Sequence, residues 1–233
     1  MRVASATSPR GEVTLTRRAD VLELRVNGVF VMDTAQTSAE RALARAALDR
    51  VARPERVLIG GLGLGFTAAE VLTDERVAHL EVVEIEPAVI TWLADGTVPH
   101  GPDVLADPRL TLTEADVAAH VAALPGASVD VLLLDVDNGP GHLVHQGNAG
   151  LYRPPALAGL ARVIRPGGAV GIWSAARAPE LAGAMAAVFT ESDEQALDVR
   201  LQDRAEQYWL YSGWVGDHGQ VNGSPGTGSA PAG

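Results

Sequence analysis

The sequence has 233 residues, a formal net charge of −11 at pH 7, no cysteine and 47% hydrophobic residues. A chain of this length forms one domain, or one domain with a small appendage, and folds without disulfides. The absence of cysteine excludes disulfide frameworks, thiolate zinc sites and cysteine nucleophiles. The excess of 29 acidic over 18 basic residues argues against a nucleic-acid partner and against docking on an anionic membrane surface.

The sequence shows neither a membrane-spanning pattern nor, at its start, a signal-peptide pattern. No stretch reaches the roughly 18 consecutive apolar residues that a membrane-spanning helix needs. The first residues, 1–11, lack the apolar run of a signal peptide. We therefore expect a cytoplasmic protein, with disordered segments over residues 1–10 and over the Gly/Ser/Pro-rich residues 217–233.

Two strand-like runs come first in the chain, at residues 12–17 and 21–32. In the second run apolar and polar residues alternate, which is typical of a half-buried strand. Ala19 and Asp20 lie between the runs and form a hairpin turn. This pattern predicts a small β-hairpin domain over residues 11–39, followed by a helix over residues 40–52.

From residue 56 onward, short apolar runs alternate with helical segments. Strands are predicted over residues 56–60, 80–85, 110–113, 129–135 and 169–174, with a late hairpin over residues 196–201 and 207–215. Apolar strands alternating with helices predict a parallel sheet covered on both faces. We therefore expect a doubly wound, Rossmann-like α/β domain over residues 40–216, with a mostly parallel sheet.

A glycine-rich loop follows the first strand of this domain and contains Gly60, Gly61, Gly63 and Gly65. Glycine allows the backbone to approach a ligand closely. Glu84 ends the next predicted strand, where a carboxylate can accept hydrogen bonds from both ribose hydroxyls of a nucleoside. The loop lacks the Gly-x-Gly-x-x-Gly spacing of pyrophosphate-binding loops. It therefore favours S-adenosylmethionine or its decarboxylated form.

The next two predicted strands also end in polar residues. Ala115 and Asp116 follow the third strand, where the carboxylate can accept from an adenine amino group. Asp135 ends the fourth strand, which is apolar, so its carboxylate is costly there unless it meets a ligand or water. For Asp137 and Asn138 a turn-forming role is an equal alternative.

These motifs resemble those of the spermidine synthase-like branch of the class I S-adenosylmethionine-dependent methyltransferase superfamily, over about residues 12–215. Residues 57–65 match the family's glycine loop, and residues 83–86 match the strand whose end contacts the ribose. Residues 115–116 match its adenine contact, and residues 135–140 match its active-site loop. The resemblance implies a homodimer and a catalytic role for Asp135. It also implies cofactor contacts at Gly60, Gly61, Gly63, Gly65, Glu84, Ile85, Ala115, Asp116 and Asp135.

The sequence departs from that family where a polyamine would bind. The family carries a second acid in its active-site loop, and this sequence has Asn138 at that position. The family also carries an acid in its glycine-rich loop, and this sequence has Leu62 or Leu64 there. Its Tyr-His-Glu stretch falls at about residues 43–45, where Arg45 would repel a polyamine. We therefore expect methyl transfer to a small acceptor other than a polyamine. Aminopropyl transfer to a polyamine is the alternative, and a non-catalytic nucleoside-binding or dimerising module is a third possibility.

Four residues are candidates for the base that such a transfer needs: Asp135, Asp137, His142 and His145. For each histidine, a solvated loop position is the alternative. His142 and His145 also have the spacing of a metal pair. Since no third fixed ligand accompanies them, we expect no metal.

The segment of residues 139–150 is rich in glycine and has no periodicity, which suggests a mobile lid. Tyr152 follows it and is a catalytic candidate, since it could orient the acceptor; packing in the core is an equal alternative. Trp173, Trp209 and Trp214 lie on strand-like runs, and we expect them in the core rather than around a substrate.

Overall fold

The computed structural model describes residues 1–136, 139–141, 143, 146–201 and 204–216. Its first part is an antiparallel sheet of four strands in sequential order. The strands are β1 (Arg2–Ser8), β2 (Gly11–Arg18), β3 (Val21–Val26) and β4 (Val29–Asp33). The predicted small β unit is therefore larger than a hairpin. We call it the small sheet.

The expectation that residues 1–10 are disordered is wrong. Strand β1 pairs with β2 from Arg2 opposite Thr16 to Ser8 opposite Gly11. Its sequence of small and polar residues has no clear apolar alternation, so the local pattern does not identify it as a strand. The backbone of β2 supplies the pairing that fixes it.

Asn27 and Gly28 join β3 to β4 with positive φ angles of 52° and 77°, as a two-residue hairpin turn requires. The side chain of Asn27 also reaches the β1–β2 turn. Its Oδ1 accepts from the N–H of Glu12 at 3.0 Å, and its Nδ2 donates to the carbonyl of Arg10 at 3.1 Å. This bridge holds the β1–β2 turn and Arg10 in place.

The rest of the chain forms the predicted α/β domain. Its strands are β5 (Arg56–Gly60), β6 (His79–Glu84), β7 (Leu110–Glu114), β8 (Val129–Leu134), β9 (Ile164–Ser174), β10 (Glu191–Leu201) and β11 (Arg204–Trp214). Its helices are α1 (Ser38–Leu48), α2 (Phe66–Leu72), α3 (Pro87–Ala94), α4 (Gly101–Leu105), α5 (Val117–Ala123), α6 (Pro154–Val163) and α7 (Pro179–Val188).

Two helices differ from the sequence-based expectation. Helix α1 ends at Leu48 rather than near residue 52, and the short helix α4 was not predicted. Within the described ranges, the structure contains no helix with the length and apolar character needed to traverse a membrane.

The large sheet has the strand order β10-β11-β9-β8-β5-β6-β7. Strands β9, β8, β5, β6 and β7 are parallel, and β11 and β10 are antiparallel additions. Strand β5 lies between β6 and β8, with Gly60 opposite Leu134. After β5 the chain adds β6 and β7 on one side of this strand, and it then adds β8 and β9 on the other side. This reversal of direction creates a switch point at the carboxyl ends of β5 and β8.

Successive residues of the central strands point into different cores. Ile59 and Leu133 belong to a cluster that includes residues of α1, α2, α3 and the small sheet. Leu58 and Leu132 belong to a second cluster with residues of α5, α6 and α7. The sheet is therefore covered on both faces, and the small sheet packs on the α1–α3 side, near the switch point. This confirms the predicted fold class.

Candidate functional site

A cavity lies at the carboxyl ends of β5, β6, β7 and β8, and we call it the larger cavity. Among the predicted cofactor residues, those that line it are Gly61, Gly63, Glu84, Ile85, Ala115, Asp116 and Asp135. Gly60 and Gly65 are not among its lining residues. The small sheet supplies an apolar wall from Leu24, Val26 and Val31. The topology thus brings loops from four strands to one place.

The glycine loop is shaped by close packing against its neighbours. Gly61 has φ 95°, and a Cβ there would lie 2.2 Å from the carbonyl oxygen of Asp135. Gly63 has φ 49°, and its Cβ would lie 2.6 Å from Sδ of Met32. The N–H of Leu64 donates to the same sulfur at 3.1 Å. A side chain at Gly61 would therefore collide with the backbone just after β8, and one at Gly63 would push the Met32 side chain aside.

Glu84 holds the glycine loop to the end of β6. Its Oε2 accepts from the N–H of Leu62 and its Oε1 from the N–H of Glu86, both at 2.8 Å. The side chain is buried, and burial raises the pKa of Glu84 while these backbone donors oppose the rise. Each carboxylate oxygen has a second lone pair, so Glu84 can still accept from a ligand.

Asp116 is both a cavity residue and a helix cap. Its Oδ1 accepts from the N–H groups of Ala118 and Ala119, at 2.7 and 3.3 Å, and so caps the N-terminus of α5. Both bonds use the same oxygen. The cap fixes the orientation of the carboxylate in the wall of the larger cavity.

Asp135 follows β8 directly and is held from two sides. Its N–H donates to the carbonyl of Gly60, and Oγ1 of Thr67 donates to its Oδ2, both at 2.8 Å. Burial raises the pKa of Asp135, and the Thr67 hydrogen bond opposes that rise. A buried carboxylate with a raised pKa is suited to accepting a proton.

Arg10 ties the small sheet to the larger cavity. Its Nε donates to Oε1 of Glu86 at 2.6 Å, and a second guanidinium nitrogen donates to the carbonyl of Ile85 at 2.5 Å. Ser8 donates to the same Glu86 oxygen at 3.2 Å. Since Glu86 and Ile85 line the cavity, the turn between β1 and β2 is fastened to its rim. Sequence reasoning missed this contact.

A second, smaller cavity lies on the other side of Asp135. Its lining residues are Val31, Met32, Glu40, Gly63, Asp135, Val136 and Trp173. Val31, Gly63, Asp135 and Val136 also line the larger cavity. The two cavities therefore adjoin at the end of β8, with Asp135 in the wall of each.

Glu40, in the first turn of α1, was not a predicted site residue. Its Oε2 is buried and has no hydrogen-bond partner among the described residues. Burial, followed by the charge of Asp135, raises the pKa of Glu40 to about 8. A sequence signal existed: Glu40 precedes the buried Leu43 and Ala44 by three and four positions, so it continues the apolar face of the helix.

The expectation that Arg45 would lie near the acceptor is wrong. Its Nε donates to Oε1 of Glu70 at 2.6 Å, and Arg41 donates to Oε2 of the same carboxylate at 2.8 Å. Both arginines are thus engaged by α2. Arg45 and Glu40 are five positions apart, about 140° around a helix, and so lie on different faces.

The remaining candidates divide between the core and the undescribed residues. Tyr152 is buried in the cluster around α6 and lines neither cavity. Trp173 is buried as expected, and it also lines the smaller cavity. The residues singled out in the active-site loop beyond Asp135, and the Gly/Ser/Pro-rich tail, lie outside the described residues: Asp137, Asn138, His142, His145 and residues 217–233.

Comparison with solved structures identifies the fold. The chain aligns with a crystal structure of spermidine synthase in complex with the transition-state analogue AdoDATO, with a TM-score of 0.78 at 16% identity. The alignment covers 91% of this chain and 73% of that one. The chain has the spermidine synthase fold. The spermidine synthase from Thermotoga maritima aligns equally well, with a TM-score of 0.78 at 16% identity over 91% of this chain and 72% of that one.

Sequence comparison agrees with this fold. The chain is 35% identical to a polyamine aminopropyltransferase of Prochlorococcus marinus (strain MIT 9313) over 127 residues, 54% of this chain and 43% of that protein. It is 31% identical to putrescine N-methyltransferase 3 of Nicotiana tabacum over 123 residues, 53% of this chain and 31% of that protein. The matches thus cover less than half of these relatives. No protein-family model matches. The resemblance to spermidine synthase-like proteins is confirmed.

Proposed function

We propose that the chain is an S-adenosylmethionine-dependent transferase that methylates a small acceptor other than a polyamine. The observation that carries this proposal is the position of Asp135. Its half-buried carboxylate belongs to the walls of both cavities and is held by Thr67. A donor in one cavity and an acceptor in the other would meet at this carboxylate, and positioning of this kind is the main requirement of an alkyl transfer.

The larger cavity suits the nucleoside part of the donor. Glu84 would accept from the ribose hydroxyls through its remaining lone pairs, and Asp116 would accept from the adenine amino group through Oδ2. Val83, Val117 and Val26 supply apolar surface for the base. The relatives named above are transferases by name, and both types of donor fit these residues.

The bound donor supplies a methyl group on a positively charged sulfur. As the acceptor atom bonds to the methyl carbon, the carbon–sulfur bond breaks and its electron pair goes to sulfur, which leaves S-adenosylhomocysteine. Asp135 would take the proton that the acceptor loses. Thr67 would keep Oδ2 of that carboxylate oriented throughout.

Aminopropyl transfer from decarboxylated S-adenosylmethionine is the second candidate, because one relative is named a polyamine aminopropyltransferase. The glycine loop favours methyl transfer instead. Gly63 lines both cavities, while Leu62 and Leu64 are buried. The loop therefore brings no carboxylate to a cationic aminopropyl group.

Product analysis distinguishes these reactions. The full chain is incubated with S-adenosylmethionine or with its decarboxylated form, together with a mixture of amines, phenols and carboxylates. We expect S-adenosylhomocysteine. Release of methylthioadenosine instead would show aminopropyl transfer and overturn the methyl-transfer proposal. Tight nucleoside binding without either product would overturn catalysis and support a non-catalytic module.

The nucleoside site is tested by Glu84→Gln. An amide has one oxygen that accepts and an NH2 group that only donates, so we expect calorimetry to show S-adenosylmethionine affinity weaker by about 1–3 kcal/mol. Glu81→Gln is the matched control, since Glu81 lies on the same strand and bonds to Thr113 outside the cavity. Unchanged affinity in Glu84→Gln would exclude Glu84 from donor binding.

A further inference from the structure

Two residues that line the smaller cavity, Glu40 and Trp173, each carry a buried polar atom that the described residues leave unpaired. These atoms are Oε2 of Glu40 and Nε1 of Trp173. Trp173 as a whole is only 9% exposed. With a pKa of about 8, Glu40 is largely protonated near neutral pH, and a cation beside it favours the ionised form, which only accepts hydrogen bonds. An indole N–H only donates. Since unpaired buried groups cost free energy, the cavity is suited to a ligand that brings both a donor and an acceptor.

The charges around this cavity are negative. Asp135 shares its wall, and both Asp135 and Asp33 raise the pKa of Glu40. Tyr208 of β11 packs edge-to-face against Trp173, and burial, followed by the Glu40 charge, raises the pKa of Tyr208 to about 12.

No positive side chain among the described residues balances this charge. Glu40, Asp33 and Asp135 form no ion pair within the described part of the chain. Arg41, the next residue after Glu40, is bound to Glu70 and makes the smallest of the contributions to the pKa of Glu40. A ligand with a positive charge would therefore relieve the repulsion among the carboxylates.

We propose that the smaller cavity binds the acceptor and that the acceptor is an amino alcohol. Its ammonium group pairs with Glu40, and its oxygen accepts from Nε1 of Trp173. This inference rests on the proposed function, because it names the acceptor of that reaction. A diamine carries only ammonium donors and would leave Trp173 unpaired, and an acceptor with a carboxylate would be repelled by the acids.

The dimensions of the cavity agree with a small ligand. It encloses about 30 Å³, and a single water needs roughly 10–15 Å³ by this measure. This is room for about two or three water-sized groups, such as the ammonium and hydroxyl groups of a short amino alcohol.

Binding of four probes with the same number of heavy atoms tests the proposal. Aminopropanol, diaminopropane, butylamine and propanediol are titrated into the full chain by calorimetry, with S-adenosylhomocysteine present to prevent turnover. We expect aminopropanol to bind at least about tenfold more tightly than each of the others, because each lacks one of the two polar contacts.

Two variants assign the contacts to residues. Glu40→Gln is expected to weaken aminopropanol binding by about tenfold or more and to leave propanediol binding within about twofold. Trp173→Phe keeps the ring and removes the N–H, and it is expected to abolish the preference for aminopropanol over butylamine. Glu191→Gln and Trp209→Phe are the matched controls, because neither residue lines the cavity.

The outcomes separate this inference from the proposed function. Tighter binding of diaminopropane than of aminopropanol, with no effect of Trp173→Phe, would overturn the amino alcohol assignment. Equal aminopropanol affinity in Glu40→Gln and the unaltered chain would overturn the role of Glu40. In both cases S-adenosylhomocysteine binding persists. Loss of that binding in the unaltered chain would instead overturn the proposed function.

Discussion

At the scale of single side chains, Asp135 is held by groups from β5, from α2 and from the glycine loop between them. Its main chain bonds to Gly60, its carboxylate bonds to Thr67, and Gly61 packs against its carbonyl. Each of these contacts crosses the switch point between β5 and β8. The position of the carboxylate is therefore fixed by the same loop that shapes both cavities.

Replacing Asp135 by Asn tests its proposed part in proton transfer. The amide keeps the size of the side chain but does not take a proton, so turnover is expected to fall by about 10²–10⁴-fold. Calorimetry is expected to give an S-adenosylmethionine affinity within a few-fold of the original. Thr67→Val is the companion variant, with a smaller loss of turnover because the carboxylate remains. Equal losses of turnover and affinity in Asp135→Asn would mean that this residue only binds.

The raised pKa of Glu40 leads to a prediction about how the stability of the folded chain depends on pH. Its pKa is about 8 in the folded chain, whereas the ordinary value of a glutamate carboxyl, which applies to the unfolded chain, is 4.5. Its contribution to stability is therefore present below pH 4.5 and is lost as the pH rises through about 8. Thermal unfolding without ligand should show Glu40→Gln gaining stability relative to the unaltered chain between about pH 5 and pH 8.5. A constant difference across this range would contradict the burial of the ionised group.

The sequence indicated Glu84, Asp116 and Asp135, because each follows a strand pattern that can be read locally. Glu40 could not be assigned in this way, since an acid in the first turn of a helix is also typical of a simple helix terminus. Its significance depends on Asp135 and Trp173, which come from strands far away in the chain. The angle between positions 40 and 45 of a helix would have shown that Glu40 and Arg45 lie on different faces of α1.

At the scale of elements, the small sheet forms one wall of the larger cavity. Leu24 and Val26 of β3 and Val31 of β4 supply its apolar surface. The Arg10–Glu86 ion pair fastens this sheet at the rim, where Glu86 is buried and Arg10 is partly exposed. The Arg10–Glu86 ion pair therefore helps to hold the small sheet in place as the wall of the larger cavity.

Arg10→Ala is expected to weaken S-adenosylmethionine binding by about three- to tenfold, since it removes charge-assisted hydrogen bonds at the rim and leaves Glu86 less well paired. Calorimetry measures the affinity. Arg2→Ala is the control, because Arg2 forms an exposed pair with Glu12 within the small sheet. Equal effects of the two substitutions would show that Arg10 acts only through general stability of that sheet.

Most elements of the α/β domain were predictable because their apolar periodicity is strong. Strand β5 was predicted over the residues where it occurs. The sequence also predicts helices over residues 67–72 and 88–93, and α2 and α3 differ from these by one residue at their ends. Strand β1 and helix α4 were missed for a common reason. Both are short or weakly apolar, and they are fixed by neighbours in space rather than by their own pattern.

At the scale of the whole molecule, the strand order explains how distant residues converge. Glu84, Asp116 and Asp135 come from three different strands, and parallel pairing brings all three ends to the same edge. The net charge of −11 does not describe this edge, since most acids lie elsewhere. What matters for recognition is that Glu40, Asp33 and Asp135 lack cationic partners among the described residues.

The resemblance to spermidine synthase-like proteins implies a homodimer, and this is a prediction for the whole chain. Light scattering coupled to size-exclusion chromatography is expected to give twice the mass of one chain. A mass equal to one chain, across a range of protein concentrations, would contradict it. The measurement should be repeated with S-adenosylmethionine present, because ligand binding stabilises whichever assembly binds it more tightly.

The contact between Met32 and the glycine loop has a consequence for oxidative stress. The chain has no cysteine, yet Sδ of Met32 accepts from the N–H of Leu64 and lies in the wall of the smaller cavity. Oxidation to the sulfoxide would add a polar oxygen to this sulfur and change the group that the N–H of Leu64 meets. We expect peroxide to alter the glycine loop through this one sulfur atom, and reduction of the sulfoxide to restore the original contact.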